Sequence, residues 1–389
     1  MTTEDLLTRT LTGVTETTEY PTTPMATVVA RSRAIRGGRR RRVAALTAAA
    51  VVVAGGVSAT LLLGHGGDST PGPAGPLGEL PQGAAPQLDY LDGDTFVAST
   101  GVRVSSPTFG RAVNAVRSQG GVLVTSRGTT RHPNLSISVV TGGVTTRLGC
   151  GASSFAVPSD GGDPVYWLAD GCQPASGGSL VQGDARTPTP QGATFAPVGL
   201  TNGGVVVFTV SLGLHLPSHA LVIPPGHRAA VPLRLGMPTA ASAAGGLVAG
   251  KARDFQRSAV VDATTGAVLW RTAPAWTLQK FSASGRYVAG IQSVGVQPSA
   301  DVGDIVGVWD AATGHPVLQK VLPGLIVDAE GWEGDDSLLV VAEDRDGQEA
   351  ILRVGLDGSV TRTTPVVRGV PRPAEGRPPL ATLRLAATP

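Results

Sequence analysis

At 389 residues the chain has room for one large domain or two ordinary ones. Only 4% of residues are aromatic and 15% charged, while 53 Gly and 30 Pro exceed a fifth of the chain. The formal net charge of +2 is unevenly placed. Residues 1–42 hold eight Arg against Glu4, Asp5, Glu16 and Glu19, leaving 23 basic and 25 acidic residues in the remainder. The basic character belongs to a short tail, which argues against nucleic-acid binding by the body of the chain.

Within that tail, Leu6, Leu7, Leu11 and Val14 have the spacing of one short amphipathic helix, a candidate dock for a cytoplasmic partner, against the plainer reading of a disordered tail. Residues 43–63 (VAALTAAAVVVAGGVSATLLL) follow and carry no charge. At ~1.5 Å per residue this run reaches across the roughly 30 Å hydrocarbon core of a bilayer, predicting a transmembrane helix. Residues 31–42 before it hold seven Arg, and residues 64–88 after it hold no Lys or Arg. That asymmetry predicts a single-pass protein of the cell membrane with a cytoplasmic N-terminus and an extracytoplasmic C-terminal domain. The alternative, a signal peptide cleaved near Val57-Ser58-Ala59, sits poorly with so long a leading segment and so long an apolar run.

Residues 64–88 (GHGGDSTPGPAGPLGELPQGAAPQL) have few large apolar side chains and predict a Gly/Pro-rich linker. From Asp89 to the C-terminus the texture changes. Short apolar runs such as GGVLVTS, LSISVV, GGVVVFTV, SAVVDA and SLLVVA recur between Gly, Asp, Asn and Pro, and none keeps a 3.6-residue period. Residues 89–389 therefore read as an all-β domain. Cys150 and Cys172, both on the predicted outer side of the membrane, fit a disulfide in an oxidising compartment.

A hairpin pattern repeats, with turn glycines at Gly101, Gly143, Gly183, Gly226, Gly266, Gly314 and Gly358, spaced by 42, 40, 43, 40, 48 and 44 residues. A tight β-turn needs a positive φ that Gly adopts without strain. A period of 40–48 residues matches a four-stranded propeller blade, so the expected fold is a β-propeller, with seven blades. The first repeat has room for only about two strands, and ATLRLAAT (381–388) is positioned to supply a missing one and close the ring.

The last three repeats carry a family resemblance. SAVVDATTGAVLW resembles the quinoprotein-type propeller repeat, ending on Trp270. FSASGRYVAG followed by GVWDAATGHPVL resembles the strand pairs of WD-repeat propellers, with Trp309-Asp310 in the expected place, and GWEGDDSLLVVAEDRDGQEAILRVGLDGSV resembles a last blade. The resemblance implies four-stranded sheets around a central channel. It does not carry a quinone cofactor, since one repeat alone has the motif's Trp. The whole layout is similar to membrane-anchored propeller proteins of high-GC actinobacteria, some of which accompany alternative sigma factors.

Chemistry-bearing motifs are few. No G-x-S-x-G, Walker A, G-x-G-x-x-G or H-E-x-x-H pattern occurs, so no catalytic residue and no cofactor is assigned. His215 and His219 have i, i+4 spacing, with His227 nearby, but Pro217 between them speaks against a helix, and they read as loop histidines. The Glu343-Asp344-Arg345-Asp346-Gly347 run lacks the ligand spacing of a calcium loop and reads as a hairpin turn, as Asp335-Asp336 reads as a turn before a strand. No metal site is assigned. The five Trp suit inter-blade packing, with at most one or two on a recognition face. Asn134-Leu135-Ser136 has the form of a glycosylation sequon.

The expected function is that of a non-enzymatic binding, sensor or scaffold module held in the bilayer through residues 43–63. It would engage an extracytoplasmic protein or ligand and, through the tail, a cytoplasmic partner in sigma-factor signalling. The His/Cys zinc motif of many anti-sigma domains is absent, with no cysteine before Cys150. The second class is an exported propeller hydrolase or lyase with its site in the axial channel. A structural role in the cell envelope is a third.

Overall fold

The computed structural model describes residues 77–127, 135–173, 177–211, 219–224, 230–274, 276–293, 303–369 and 382–387. The predicted transmembrane segment 43–63, the tail, His215, Asn134, Gly226 and His227 lie outside them. Among the described residues, no helix is long and apolar enough to cross a membrane.

Seven blades follow one another in chain order. Blade 5 shows the pattern, with strands Leu235–Ser242, Leu247–Ala252, Ser258–Asp262 and Val268–Arg271 pairing antiparallel in sequence order. Blades 2 (Ala112–Ser118 to Val144–Gly151), 4 (from Ala193), 6 (from Trp276) and 7 (from Leu325) repeat it. The first strands of blades 4, 5, 6, 7 and 1 touch in succession, which sets them around a common axis. Both faces of each inner sheet are covered. In blade 5, Val248 and Val261 pack toward Val206 and Val222 of blade 4, while Ala249 and Val260 pack toward Leu278 and Val288 of blade 6. Adjacent residues point to opposite faces, so a strand buried on both reads as an unbroken apolar run. That is why GLVAG, SAVVDA and SLLVVA show no alternation.

The period read from glycines is the blade period. Gly101, Gly143, Gly183, Gly266, Gly314 and Gly358 have φ between 55° and 85° and lie in the turn joining the third strand of a blade to its fourth. At Gly314 the need is double: φ is +74°, and a Cβ would stand 2.7 Å from the Trp270 ring.

Closure occurs as the sequence predicts. Leu383–Leu385 pairs antiparallel with Tyr90–Asp92 and becomes the inner strand of blade 1, outside which lie Thr95–Val97 and Arg103–Ser105. Leu383 is buried, and its N–H donates to the buried Glu349 carboxylate of blade 7 at 2.8 Å. Beyond the strand, Ala387 N–H donates to Ala115 C=O of blade 2 at 2.7 Å. Arg384 donates to the carbonyls of Gly93, Phe109 and Ala112, and burial pulls its guanidinium down to about 10.

One expectation needs correcting. Residues 77–88, placed in the linker by composition, belong to the folded domain. Leu77 and Leu80 are buried in the core of blades 6 and 7, and Gln82 bridges Arg362 in parallel at the outer edge of blade 7. Arg353 and Glu333 form a bidentate pair that also holds this segment: Arg353 donates to the carbonyls of Ala84 and Ala85, and Glu333 accepts Gln87 N–H. Two leucines and a row of backbone groups suffice to dock a segment whose Gly/Pro content looks like that of a spacer. The four-stranded pattern is thinned in one blade. Blade 3 has three full strands, Val165–Ala169, Gly178–Gln182 and Ala185–Thr189, and its inner strand is reduced to the single bridge Ala156↔Val165. It is instead joined to blade 2 in one seven-stranded sheet through Cys150↔Ala169 and Gly151↔Leu168.

Candidate functional site

The reduced blade 3 is bordered by two clefts. One, of about 470 Å³, lies between Gln87–Asp89, the end of the first strand of blade 2 (Val116–Gln119), the 157–162 turn and Ala387. The other, of about 330 Å³, lies between blades 3 and 4, with Val165, Leu180, Leu200 and Ile223 on its walls and Gln182, Thr201 and Asn202 at its rim. Nearly all of these residues fall at the end of a first or third strand or the start of a second or fourth. Both clefts therefore open on the face that carries the repeated glycine turns.

The larger cleft has a charged wall. Arg117 donates to Asp89 through Nη2 (2.6 Å) and Nε (3.1 Å), and Asp89 also accepts Ser99 N–H at 2.8 Å. The pair ties blade 2 to the start of blade 1. Arg117 remains about half exposed while Asp89 is mostly covered. The guanidinium is thus fixed in plane with donors left over for a ligand acceptor. Gln119 N–H donates to Asp163 at 3.2 Å, holding the adjoining turn against blade 3. Neither Asp89 nor Arg117 stands out in the sequence, because the pairing spans 28 residues and two blades.

Cys150 and Cys172 form a disulfide (S–S 2.15 Å) that joins the outer strand of blade 2 to the turn after the first full strand of blade 3. Arg147 Nη2 lies 3.0 Å from Cys150 Sγ. The other residues singled out in the sequence are structural. Asp344 accepts the N–H groups of Asp346 and Gln348, which makes the acidic run a capped hairpin. Asp335 accepts Ser284 N–H of blade 6. His219 begins the third strand of blade 4, and burial, aided by Arg253, holds its imidazole below the usual range. Among the described residues, no group of three His, Cys, Asp or Glu is arranged to hold a metal.

The tryptophans pack within and between blades. Trp167, Trp276, Trp309 and Trp332 are buried and Trp270 partly so. Trp270 Nε1 donates to Ala311 C=O of blade 6 at 2.8 Å, and Trp332 Nε1 to Lys280 C=O of blade 6 at 3.2 Å.

No protein-family model and no curated relative matches the chain. Solved structures of low identity resemble it. A putative 6-phosphogluconolactonase from Bacteroides uniformis is 13% identical over 72% of this chain and 96% of its own, with TM-score 0.46. The β-propeller domain of the Trilobed protease from Pyrococcus furiosus is 8% identical over 69% and 86%, with TM-score 0.43. Kluyveromyces lactis Hsv2 is 10% identical over 71% and 93%, with TM-score 0.42. The seven-bladed β-propeller assignment rests on the strand pairing itself.

Proposed function

We propose that this chain is a binding module displayed outside the cytoplasm, held in a membrane by residues 43–63 and recognising its partner at the clefts beside blade 3. The observation that carries the binding reading is the Asp89–Arg117 pair, a half-exposed guanidinium held rigid in the wall of the larger cleft. Outward display is supported by the arginine asymmetry around residues 43–63 and by the Cys150–Cys172 bond, which suits an oxidising compartment. A tail partner inside would let occupancy of the propeller be signalled across the membrane, as in sigma-factor regulation.

The test uses the full chain in intact cells. Val102, at an exposed turn, is replaced by Cys and treated with a membrane-impermeant maleimide. Labelling before lysis is expected, and labelling only after lysis would sink outward display. A photo-crosslinker at Gln119, on the cleft, should capture a partner that one at the exposed Leu269, on the outer strand of blade 5, does not. Equal capture from both positions, or none from Gln119, rejects the cleft as the recognition site.

A further inference from the structure

The opposite face of the ring carries a second feature, at the edge of blade 5 where its second strand turns into its third. Each of the four strands brings one arginine to this edge. Arg234 precedes Leu235, which pairs with Ala252; Arg253 follows Ala252. Ala252 N–H donates to Arg257 C=O at 2.9 Å, and Ala259, two residues on, pairs with Arg271. All four arginines are exposed. With neighbouring strands ~4.8 Å apart, the row is roughly 14 Å long. Asp254 is the one acidic residue in the turn, and its carboxylate accepts Gln256 N–H at 3.0 Å. Residues 43–389 as a whole are slightly acidic, so this concentration of positive charge is local.

In the middle of the row stands Phe255, 57% exposed and at φ +56°, a left-handed conformation rare for a bulky side chain. Such strain persists only where the surrounding structure imposes it, and it clusters at functional sites. The ring lies along the backbone of Gly236, whose Cβ, if present, would sit 2.8 Å from Cζ. The tip of the ring, Cζ and Cε2, is therefore held against its own blade and does not project freely into solvent. Met237, the residue after Gly236, is 36% exposed.

We infer that this edge is a docking surface for an acidic polypeptide segment, with carboxylates pairing with Arg234, Arg253, Arg257 and Arg271 around an apolar contact on Phe255. Guanidinium forks match carboxylates bidentately, and arginine with aromatic residues is the composition enriched where proteins bind one another. A ring whose tip is held against its own blade favours contact with a peptide laid along the edge over insertion into a lipid surface.

The experiment uses the full chain in neutral-lipid nanodiscs with an environment-sensitive fluorophore on Gln256→Cys. The local probe separates this edge from the arginine-rich tail. The titrant is a short peptide whose glutamates flank one phenylalanine. A saturable signal is expected that weakens with added salt, and about tenfold in Arg253→Glu/Arg257→Glu. Phe255→Ala should weaken it further, while Arg345→Glu on blade 7 leaves it unchanged. An absent signal, or one indifferent to the charge reversal, overturns the inference. So does a response to vesicles of anionic phospholipid with none to the peptide, which would assign the edge to a membrane. Unchanged thermal melting of the variants excludes misfolding as the cause. These outcomes are independent of the clefts beside blade 3.

Discussion

At the residue scale, the repeated Asp-x-x-Thr-Gly turns explain why acidic side chains recur without forming a site. Asp262 accepts the N–H groups of Thr264 and Thr265 and the Thr265 hydroxyl, at 2.7–3.0 Å. Asp310 does the same with Thr313. Hydrogen bonds from Thr265 to Asp262, and from Thr313 to Asp310, hold both carboxyls below the usual range. A depressed folded value means that the folded state binds a proton less readily than the unfolded chain. The contribution is then complete above the unfolded value near pH 3.9 and is lost as pH falls through the lower folded value. Melting temperature measured from about pH 5 to 2 should fall over the lower part of that window. In Asp262→Asn/Asp310→Asn the fall should be shallower and the starting point lower. An identical acid limb would show that other carboxylates govern it. The glycines of these turns were legible from their spacing, while the capping role of Asp262 and Asp310 emerged only from the hydrogen bonds.

At the element scale, the ring is closed by a short strand whose importance exceeds its length. Leu383–Leu385 covers the edge of Tyr90–Asp92, and Arg384 and Glu349 tie it to blades 1, 2 and 7. An uncovered inner strand would expose unpaired backbone groups beside the axis. Removing residues 382–387 should lower the melting temperature sharply and promote aggregation. Leu383→Ala alone should cost about 2–5 kcal/mol in a denaturant titration, as expected for a fully buried leucine. Wild-type stability in either variant would mean that blades 1 and 7 hold without the strand. The outer edges are protected differently. Register shifts interrupt the pairing at Leu269 in blade 5 and Val317 in blade 6, and both are exposed. Such bulges make an edge a poor template for further strands.

At the scale of the whole molecule, blade 3 is the least regular of the described blades and the one around which the clefts open. With its inner strand reduced to one bridge, it depends on the seven-stranded sheet and on Cys150–Cys172 for its attachment to blade 2. A cross-link closing a loop of 22 residues restricts the unfolded chain by about 3 kcal/mol. Cys150→Ala/Cys172→Ala should lose a comparable amount in urea, with protease sensitivity rising first between residues 152 and 178. An unchanged midpoint would show that strand pairing alone secures the blade. The two proposed recognition surfaces lie on opposite faces of the ring, the cleft walled by Asp89 and Arg117 beside blade 3 and the arginine edge on blade 5.

The sequence by itself determined the fold class, the seven-fold period and the closing strand. It also determined that the five tryptophans suit the interior of the ring. Each of these follows from local physics: apolar runs doubly buried as strands, glycines required by positive φ, and a first repeat two strands short. Tertiary structure alone decided what becomes of residues 77–88, that the inner strand of blade 3 shrinks to one bridge, and where Asp89, Arg117 and the four arginines of blade 5 meet. The spacer-like segment docks because Arg353 and Glu333, some 250 residues away in the chain, offer partners that composition cannot reveal. The arginine row likewise exists only once four strands lie side by side, since charges from residue 234 to residue 271 become neighbours through strand register and not through proximity in the chain.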